Sequence, residues 1–289
     1  MYERILVPTD GSDAALIAAE CATAMARRFG AVVDVVHVPD RRERVFAPSE
    51  AEADAAAEAV LTATRDVVTA GGIEPNAVII DEPDQVHEVL CRYADEHDVD
   101  CIVMGTHGRT GFDRYVLGSV TERMIRAASV PVLTVHEDTM VPDGASFERL
   151  LVPTDGSECA IRATEHATDL AEAVGGDLHA INVVDTTVAP GGVESGFITG
   201  ELEAAGEQAL ETMQNHVQAG GSVTVHTSVV HGPPYRAIID YADEHDVDCI
   251  VMGTHGRTGL DRYLLGSVTE RVVRLAEVPV ISVRGPDSS

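Results

Sequence analysis

Two stretches of this chain, residues 93–123 and 241–271, have almost the same sequence. Both read YADEHDVDCIVMGTHGRTG, one variable residue, DRY, one variable residue and LGSVTER, and they differ at 2 of 31 positions. The copies lie 148 residues apart, whereas solenoid repeats recur about every 20 to 50 residues. The spacing therefore predicts a duplicated domain, and the near-identity of one block within it predicts that this block holds the working site.

The beginning of each half supports the duplication. ILVPTDGS at residues 5–12 returns as LLVPTDGS at residues 150–157. A chain of 289 residues is long enough for two domains that each bury a core. We predict domains at 1–137 and 147–285, joined by a short polar linker.

The charge balance is strongly acidic. There are 48 Asp and Glu residues against 20 basic residues, all of them arginine, and the formal net charge is −28. A surface with this charge repels nucleic acid and anionic membranes, so neither is expected as a partner. Because the screening length falls to about 3 Å near 1 M salt, the composition suggests adaptation to high salt in a salt-accumulating halophile.

The cysteines and the N-terminus indicate a cytoplasmic protein. The number of cysteines is odd, none has CxxC spacing, and two lie in apolar strand-like runs where a buried thiol is expected. They are Cys21, Cys91, Cys101, Cys159 and Cys249. The first residues, MYERILVPTD, do not read as a signal peptide, and no apolar run reaches the roughly 18 residues of a membrane helix.

Each half alternates apolar strands with amphipathic helices. In the first half the predicted strands are 4–8, 31–38, 77–81, 100–105 and 131–136, and in the second half they are 149–153, 177–184, 223–230, 248–253 and 279–284. Continuous apolar strands separated by helices predict a parallel sheet covered on both faces. We therefore expect an α/β protein of two tandem doubly wound domains, each with a five-stranded parallel sheet in the order 3-2-1-4-5.

A glycine-rich loop follows the fourth predicted strand of each half. Its spacing is Gly105-x2-Gly108-x9-Gly118-Ser119, and the second half repeats it from Gly253. Ligands bind at the carboxyl ends of strands in such sheets, and glycines let backbone N–H groups approach an anion. SVTE at 119–122 reads as a capping box, which would direct a helix N-terminus at that anion. The loop is thus expected to bind phosphate.

Two common phosphate-binding motifs are excluded. A Walker A loop requires a lysine, and the chain has none; the GxGxxG dinucleotide fingerprint is absent after the first strand, which is followed by PTDGSD. The doubled G-x2-G-x9-G-S motif, in a domain that begins ILVPTDGS, instead resembles the ATP-binding members of the universal stress protein family. The resemblance covers essentially all of both halves.

The resemblance implies two nucleotide sites with ATP and magnesium as ligands. Magnesium is expected only as the partner of the triphosphate, near Asp10 and Asp155. The implied binding residues of the first half are Pro8, Thr9, Asp10, Val38, Gly105, His107, Gly108, Arg109, Gly118 and Ser119. Those of the second half are Pro153, Thr154, Asp155, Val183, Gly253, His255, Gly256, Arg257, Gly266 and Ser267.

Other interpretations of these residues stay open. Asp10 and Asp155 could be turn residues before a helix cap, and Arg109 and Arg257 could form ion pairs on the surface instead of offsetting phosphate charge. The two loop histidines lack a recognisable catalytic partner in the sequence. Residues 185–196, which have no counterpart in the first half, could be a lid or a tolerated surface insertion.

The leading hypothesis is an ATP-binding stress or regulatory protein that uses nucleotide occupancy as a switch and is not an enzyme. A slow ATPase or an adenine-nucleotide hydrolase-like enzyme is the second hypothesis, and an interaction scaffold with vacant sites is the third. The resemblance also implies that the fifth strands, 131–136 and 279–284, pair edge to edge in a pseudo-dimer of the halves, with homodimerisation of the chain left open.

Overall fold

The computed structural model describes residues 1–40, 49–108, 117–141, 147–186, 195–221, 223–256 and 265–285. Contacts divide the chain into two units, Met1–Ala145 and Ser146–Ser289.

The first unit contains one parallel sheet. Its strands are β1 (Arg4–Pro8), β2 (Val32–His37), β3 (Asn76–Ile79), β4 (Cys101–Gly105) and β5 (Val132–Val135), in the order β3-β2-β1-β4-β5. Its helices are α1 (Asp13–Phe29), α2 (Glu50–Ala70), α3 (Val86–Glu96) and α4 (Ser119–Ala127). Leu6 on β1 lies opposite Asp34 on β2 and Ile102 on β4. Helices α1 and α2 pack on each other, as do α3 and α4.

The second unit repeats this arrangement. Its strands are β6 (Arg149–Pro153), β7 (Asp177–Val184), β8 (Val225–His231), β9 (Cys249–Gly253) and β10 (Val280–Val283), in the order β10-β9-β6-β7-β8. Its helices are α5 (Glu158–Val174), α6 (Ser195–Gly220), α7 (Pro234–Glu244) and α8 (Ser267–Leu275). The predicted fold class is confirmed, with strand order 3-2-1-4-5 in each unit.

The helices α1 and α5 fold as their sequences indicate. Ser12 accepts a hydrogen bond from the N–H of Ala15, and Ser157 accepts one from Ala160, so each serine caps a helix as expected. Each helix ends at a glycine with a positive φ, 72° at Gly30 and 75° at Gly175, a conformation that costs glycine little. Their alanine-rich faces let the helices lie close to the sheets.

The apolar strands form the cores. The middle residues of β1, β4, β6 and β9 are fully buried, as are the thiols of Cys101 and Cys249, which confirms the buried environment predicted for them. Burial raises the pKa of the Cys101 thiol well above its usual range. None of the helices in the described ranges is long and apolar enough to cross a membrane.

The segment without a counterpart in the first half is partly helical. Residues 185–196 were expected to be a loop, but α6 begins at residue 195. Residues 187–194 lie outside the described ranges. The mistaken part of the prediction concerns residues 195 and 196: Gly196 suggested a loop, whereas it lies in the first turn of the helix.

Candidate functional site

The residues predicted for the site gather at the carboxyl edge of each sheet, where β1 and β4, or β6 and β9, end side by side. Pro8 and Gly105 are the last residues of β1 and β4, and Pro153 and Gly253 occupy the same places in the second unit. Parallel strands bring their carboxyl ends to one edge. The turn after the first strand and the glycine loop after the fourth strand therefore meet there.

The Thr-Asp-Gly turn that follows β1 is tightly hydrogen-bonded. Asp10 Oδ1 accepts hydrogen bonds from the main-chain N–H of Ser12 (3.0 Å) and from Ser12 Oγ (2.6 Å), and Gly11 has a φ of 76°. In the second unit Asp155 Oδ1 accepts from the N–H of Ser157 at 2.9 Å. Both aspartates thus hold a turn before a capped helix, which is the alternative role that the sequence left open.

The second carboxylate oxygen of each aspartate faces the glycine loop. A Cβ atom added to Gly108 would clash with Asp10 Oδ2, and one added to Gly256 would lie 2.6 Å from Asp155 Oδ2. A side chain at either glycine would therefore push the loop away from the aspartate. The turn role leaves each aspartate at the site, next to the glycines that were predicted to bind phosphate.

A side chain from the second strand of each sheet fixes the same turn. His37 Nδ1 lies 2.7 Å from the carbonyl oxygen of Thr9, and Asn182 Nδ2 lies 2.7 Å from the carbonyl oxygen of Thr154. The carbonyl can only accept, so the nitrogen donates in both units. Neither residue was singled out from the sequence, where only Val38 and Val183, the residues that follow them, were predicted.

Gly105 and Gly253 have a packing role at the strand ends. A Cβ atom on Gly105 would lie 2.8 Å from the Cβ of Ala14, and one on Gly253 would lie 2.7 Å from the Cβ of Cys159. Each glycine therefore permits close contact between the fourth strand and the first turn of α1 or α5. The close approach seen here is to the protein's own helix, and contact of these two glycines with a phosphate stays a prediction.

The predicted capping box at the start of α4 is wrong. The N-cap residue is Gly118, with φ −61° and ψ 137°, and Ser119 is already the first helical residue. Gly266 caps α8 in the same way, with Ser267 following it. The reason is that the N–H of Gly118 donates to the carbonyl of Thr106 at 2.7 Å and holds the glycine in an extended conformation.

This correction still leaves a helix N-terminus at the site. The exposed Ser119 and Ser267 each begin a helix, and the first N–H groups of a helix have no acceptor within it. Thr121 Oγ1 donates to the carbonyl of Gly105 at 2.8 Å, and Thr269 Oγ1 donates to that of Gly253 at 2.9 Å. These bonds tie each helix start to the adjacent strand end.

The second unit encloses a cavity of about 580 Å³ at this edge. Nine of the ten predicted residues of this unit line it, namely Pro153, Thr154, Asp155, Val183, Gly253, His255, Gly256, Gly266 and Ser267. The tenth, Arg257, and its counterpart Arg109 lie outside the described residues. The volume is in the range of roughly 300 to 1,000 Å³ that is usual for ligand cavities.

Much of the apolar lining could not be found from motifs. It comes from the far end of β7, from α6 and α7, and from the strand β9, and comprises Ile181, Val184, Leu202, Ala205, Pro234, Ile238 and Met252. The apolar residues and the glycine loop form two chemically different parts of one cavity. The tertiary fold brings α6 and α7 to the cavity. The local sequence pattern of a strand or helix therefore could not predict that their residues line it.

In the first unit the predicted residues that the structure describes occupy the same places. Thr9 and Val38 are buried, and Val38 follows the last residue of β2 as Val183 follows the matching residue of β7. His107 Nδ1 lies 3.2 Å from Thr106 Oγ1, and His255 Nδ1 lies 2.8 Å from Thr254 Oγ1. Each loop histidine thus lies within hydrogen-bond distance of its neighbouring threonine.

Asp10 and Asp155 are acidic residues next to the two glycine loops. Across the described part of the chain, no group of three or more His, Cys, Asp or Glu side chains is arranged to hold a metal ion. Magnesium near Asp10 and Asp155 stays a prediction, because it was expected to be carried by a triphosphate.

Comparison with known proteins identifies related sequences and structures. The model of the universal stress protein family matches residues 1–136 and 146–284. A universal stress protein of Methanocaldococcus jannaschii is 37% identical over 143 residues, which are 48% of this chain and 84% of the relative. One from Mycobacterium bovis is 32% identical over 191 residues, 65% of this chain and 63% of the relative.

A solved structure covers nearly the whole chain. The crystal structure of a universal stress protein from Archaeoglobus fulgidus superposes with a TM-score of 0.72 at 25% identity, covering 99% of this chain and 97% of that one. The tandem arrangement found in this chain is therefore shared with a protein of similar length.

Proposed function

The chain belongs to the universal stress protein family, and on this premise we propose that it binds ATP with magnesium at two sites, one in each unit. Occupancy of these sites would serve a stress response or a regulatory function. The observation that carries the proposal is the cavity of about 580 Å³ in the second unit. One part of its lining suits a phosphate chain and another part suits an aromatic base.

The phosphate part consists of the glycine loop and the start of α8. Gly256, Gly266 and Ser267 line the cavity here, and glycines let main-chain N–H groups come close to phosphate oxygens. The positive end of the helix dipole favours an anion at the same point. On a chain with a net charge of −28, such local donors are needed to offset long-range repulsion of a nucleotide.

The base part is apolar. Ile181, Val183, Leu202, Ala205 and Ile238 come from three different elements and face one cavity. Ligand cavities combine such apolar walls with a few polar groups that fix orientation. A planar base held among these side chains would place its phosphates toward the glycine loop. Asp155 lines the same cavity beside Gly256, and in this proposal it would contact the ribose or its metal.

The first unit supports a second site through matching hydrogen bonds. The N–H of Gly118 donates to Thr106 at 2.7 Å, and that of Gly266 donates to Thr254 at 2.9 Å. The loop is therefore closed by the same bond in both units. This match supports two sites of similar phosphate geometry.

We propose binding in preference to catalysis because glycines and apolar side chains make up much of the lining and hold a ligand without activating a nucleophile. Of the polar lining residues, Asp155 accepts a hydrogen bond from the N–H of Ser157, which fixes its turn. ATP turnover of several per second that is lost in a variant with His107→Ala and His255→Ala would instead favour the ATPase alternative. The cytoplasmic location, the high-salt adaptation and the pairing of the fifth strands stay predictions.

The direct test is nucleotide binding by the full chain. We expect adenine nucleotide to co-purify with the protein, as detected by mass spectrometry, and we expect calorimetry with Mg-ATP to give two sites per chain at both low and molar salt. A protein that is folded, carries no nucleotide and gives no heat with Mg-ATP would refute the proposal.

Single-site variants locate the two sites. A Cβ on Gly266 would lie 3.1 Å from the carbonyl oxygen of Thr254, and one on Gly118 would lie 3.1 Å from that of Thr106. A valine at either glycine should open its loop and remove one of the two bound nucleotides. Valines at both glycines should remove both nucleotides. Gly200→Val is the control, since nothing lies within 4 Å of a Cβ at that exposed position. Full stoichiometry in the double variant would mean that the sites lie elsewhere.

A further inference from the structure

The carbonyl group that follows the first strand of each unit is held by a side chain where the backbone ladder ends. The N–H of Thr9 donates to Val36 on β2 at 2.9 Å, which is the last backbone bond of that pair of strands. The carbonyl oxygen of Thr9 then accepts from His37 Nδ1 at 2.7 Å. His37 thus extends the ladder by one bond with its side chain.

The second unit makes the same bonds with a different residue. The N–H of Thr154 donates to Ile181 at 2.8 Å, and its carbonyl oxygen accepts from Asn182 Nδ2 at 2.7 Å. The strand register makes Asn182 the equivalent of His37, since Pro8 pairs with Val36 and Pro153 pairs with Ile181. Histidine and asparagine differ in size, ring character and titration, and they share a nitrogen donor at the δ position.

The environment explains why a donor is needed. Thr9 and Thr154 are each only 6% exposed, and the chain turns away from the sheet at the next residue. A buried carbonyl without a donor costs about 1 to 3 kcal/mol. Among the main-chain hydrogen bonds of the described residues, none from the second strand reaches this carbonyl, so a side chain supplies the donor.

The bond acts directly on the proposed nucleotide site. The carbonyl belongs to the peptide unit that joins the threonine to Asp10 or Asp155, so fixing it fixes the direction in which the aspartate leaves the sheet. In the second unit Asn182 itself lines the cavity, beside Thr154 and Asp155. Its Oδ1 is directed at Gly206 of α6, where an added Cβ would clash with it.

From these contacts we propose that His37 and Asn182 are positioning residues of the two nucleotide sites. Each donates one hydrogen bond that orients the Thr-Asp-Gly turn. This orientation requires the donor nitrogen and does not require the rest of the side chain. This inference rests on the proposed nucleotide binding. It assigns a function to two residues that the phosphate-loop motif does not contain.

A matched pair of substitutions separates the donor from the shape. His37→Asn retains a δ nitrogen donor and has the residue type found in the second unit, whereas His37→Asp has the same shape as asparagine but presents an acceptor to the Thr9 carbonyl. In the second unit the wild-type Asn182 and Asn182→Asp form the same pair. The His37 variants are studied in the Gly266→Val background and Asn182→Asp in the Gly118→Val background, so that each titration reports one site.

The measurement is calorimetric titration of the full chain with Mg-ATP, together with thermal unfolding of each variant. We expect each aspartate variant to weaken its own site by about tenfold or more, which corresponds to about 1.4 kcal/mol, while His37→Asn stays within about threefold of the parent. The variants should remain folded at the titration temperature. The loss of affinity should therefore be larger than the loss that the small unfolded fraction of each variant would cause.

The outcomes distinguish the two levels of the proposal. If the parent backgrounds bind Mg-ATP and the aspartate variants bind equally well, the positioning inference is wrong and the nucleotide proposal stands. The inference is also wrong if His37→Asn and His37→Asp are weakened alike, or if the affinity falls only as far as the unfolded fraction accounts for. A parent chain that binds no Mg-ATP overturns the nucleotide proposal itself.

Discussion

His166 lies on α5 at the position that Cys21 occupies on α1, nine residues after the capping serine in each helix. Cys21 is fully buried, and His166 is partly buried. Burial disfavours the charged imidazolium and lowers the pKa of His166 from about 6.5 to about 4. The second unit should therefore be sensitive to mild acid at a position where the first unit has a thiol.

The sign and size of the effect follow from linkage. The unfolded chain binds the proton with the ordinary pKa, so the folded state loses stability as the pH falls below about 6.5, and the loss is complete below about pH 4. Between pH 7.5 and pH 5 these values correspond to about 2 kcal/mol. Since the side chain keeps some solvent contact, we expect about 1 to 2 kcal/mol.

Hydrogen exchange read by mass spectrometry can assign this loss to one unit. The opening free energy of peptides from α5 and β9, corrected for the intrinsic pH dependence of exchange, should fall between pH 7.5 and pH 5 at fixed salt. His166→Cys should flatten that dependence. His216→Gln, which removes a half-exposed histidine of α6 that lies 3.3 Å from Glu165 on α5, is the control and should leave most of the dependence in place.

Equal pH dependence of α5 and β9 in the wild type and in His166→Cys would refute the reasoning, because the lost stability would then come from other groups. A loss that appears equally in α1 and β4 would also contradict it. The first unit has cysteine at this position and should not share the effect.

Two further predictions concern packing and a buried ion pair. Gly253→Ala should destabilise the second unit by about 1 to 3 kcal/mol in hydrogen-exchange measurements, because its Cβ would lie 2.8 Å from the main-chain carbon of Cys159; Gly200→Ala should have no such effect. Asp34→Ala should cost the first unit about 1 to 3 kcal/mol in denaturant unfolding, since the fully buried Asp34 accepts from Arg4 Nη1 at 2.9 and 3.1 Å and also from Asn76 and Tyr93, while the Arg4 side chain left behind is 33% exposed. No shift of the denaturation midpoint would contradict it.

Much of the fold could be predicted because the two halves of the sequence carry the same patterns. The apolar run DCIVMG, the glycine after α1 and the repeated PTDGS turn each have a local physical meaning, and the two halves agree. The ends of the elements were less predictable. The third strand is Asn76–Ile79, whereas the apolar pattern suggested 77–81, because pairing with β2 decides where the ladder ends.

The site could be predicted only where one short segment holds the chemistry. The glycine loop and the aspartate turn are such segments, and their residues do come together. Asn182 reaches the site through the register of β7, and Leu202 reaches it through the position of α6. Neither the register nor the helix position can be predicted from the neighbouring sequence. The capping box failed for a related reason: SVTE fits the motif, but the bond from Gly118 to Thr106 moves the cap one residue earlier.

The contacts of Tyr93 and Tyr241 bear on why the duplicated block has stayed so similar. These tyrosines begin the two copies, and their partners have diverged: Tyr93 Oη donates to Asp34 Oδ2 at 3.2 Å, whereas Tyr241 Oη lies 3.1 Å from His179 Nδ1. Burial, reinforced by Asp34, raises the pKa of Tyr93 to about 12, so this hydroxyl remains a donor. A tyrosine hydroxyl can bond to either partner, so the surroundings at this end do not require identical blocks.

At the other end of the block, the hydrogen bonds that close the glycine loop have the same partners in both units, with lengths that agree within 0.2 Å. The similarity of the block is therefore better explained by the loop that it forms than by the core in which it lies.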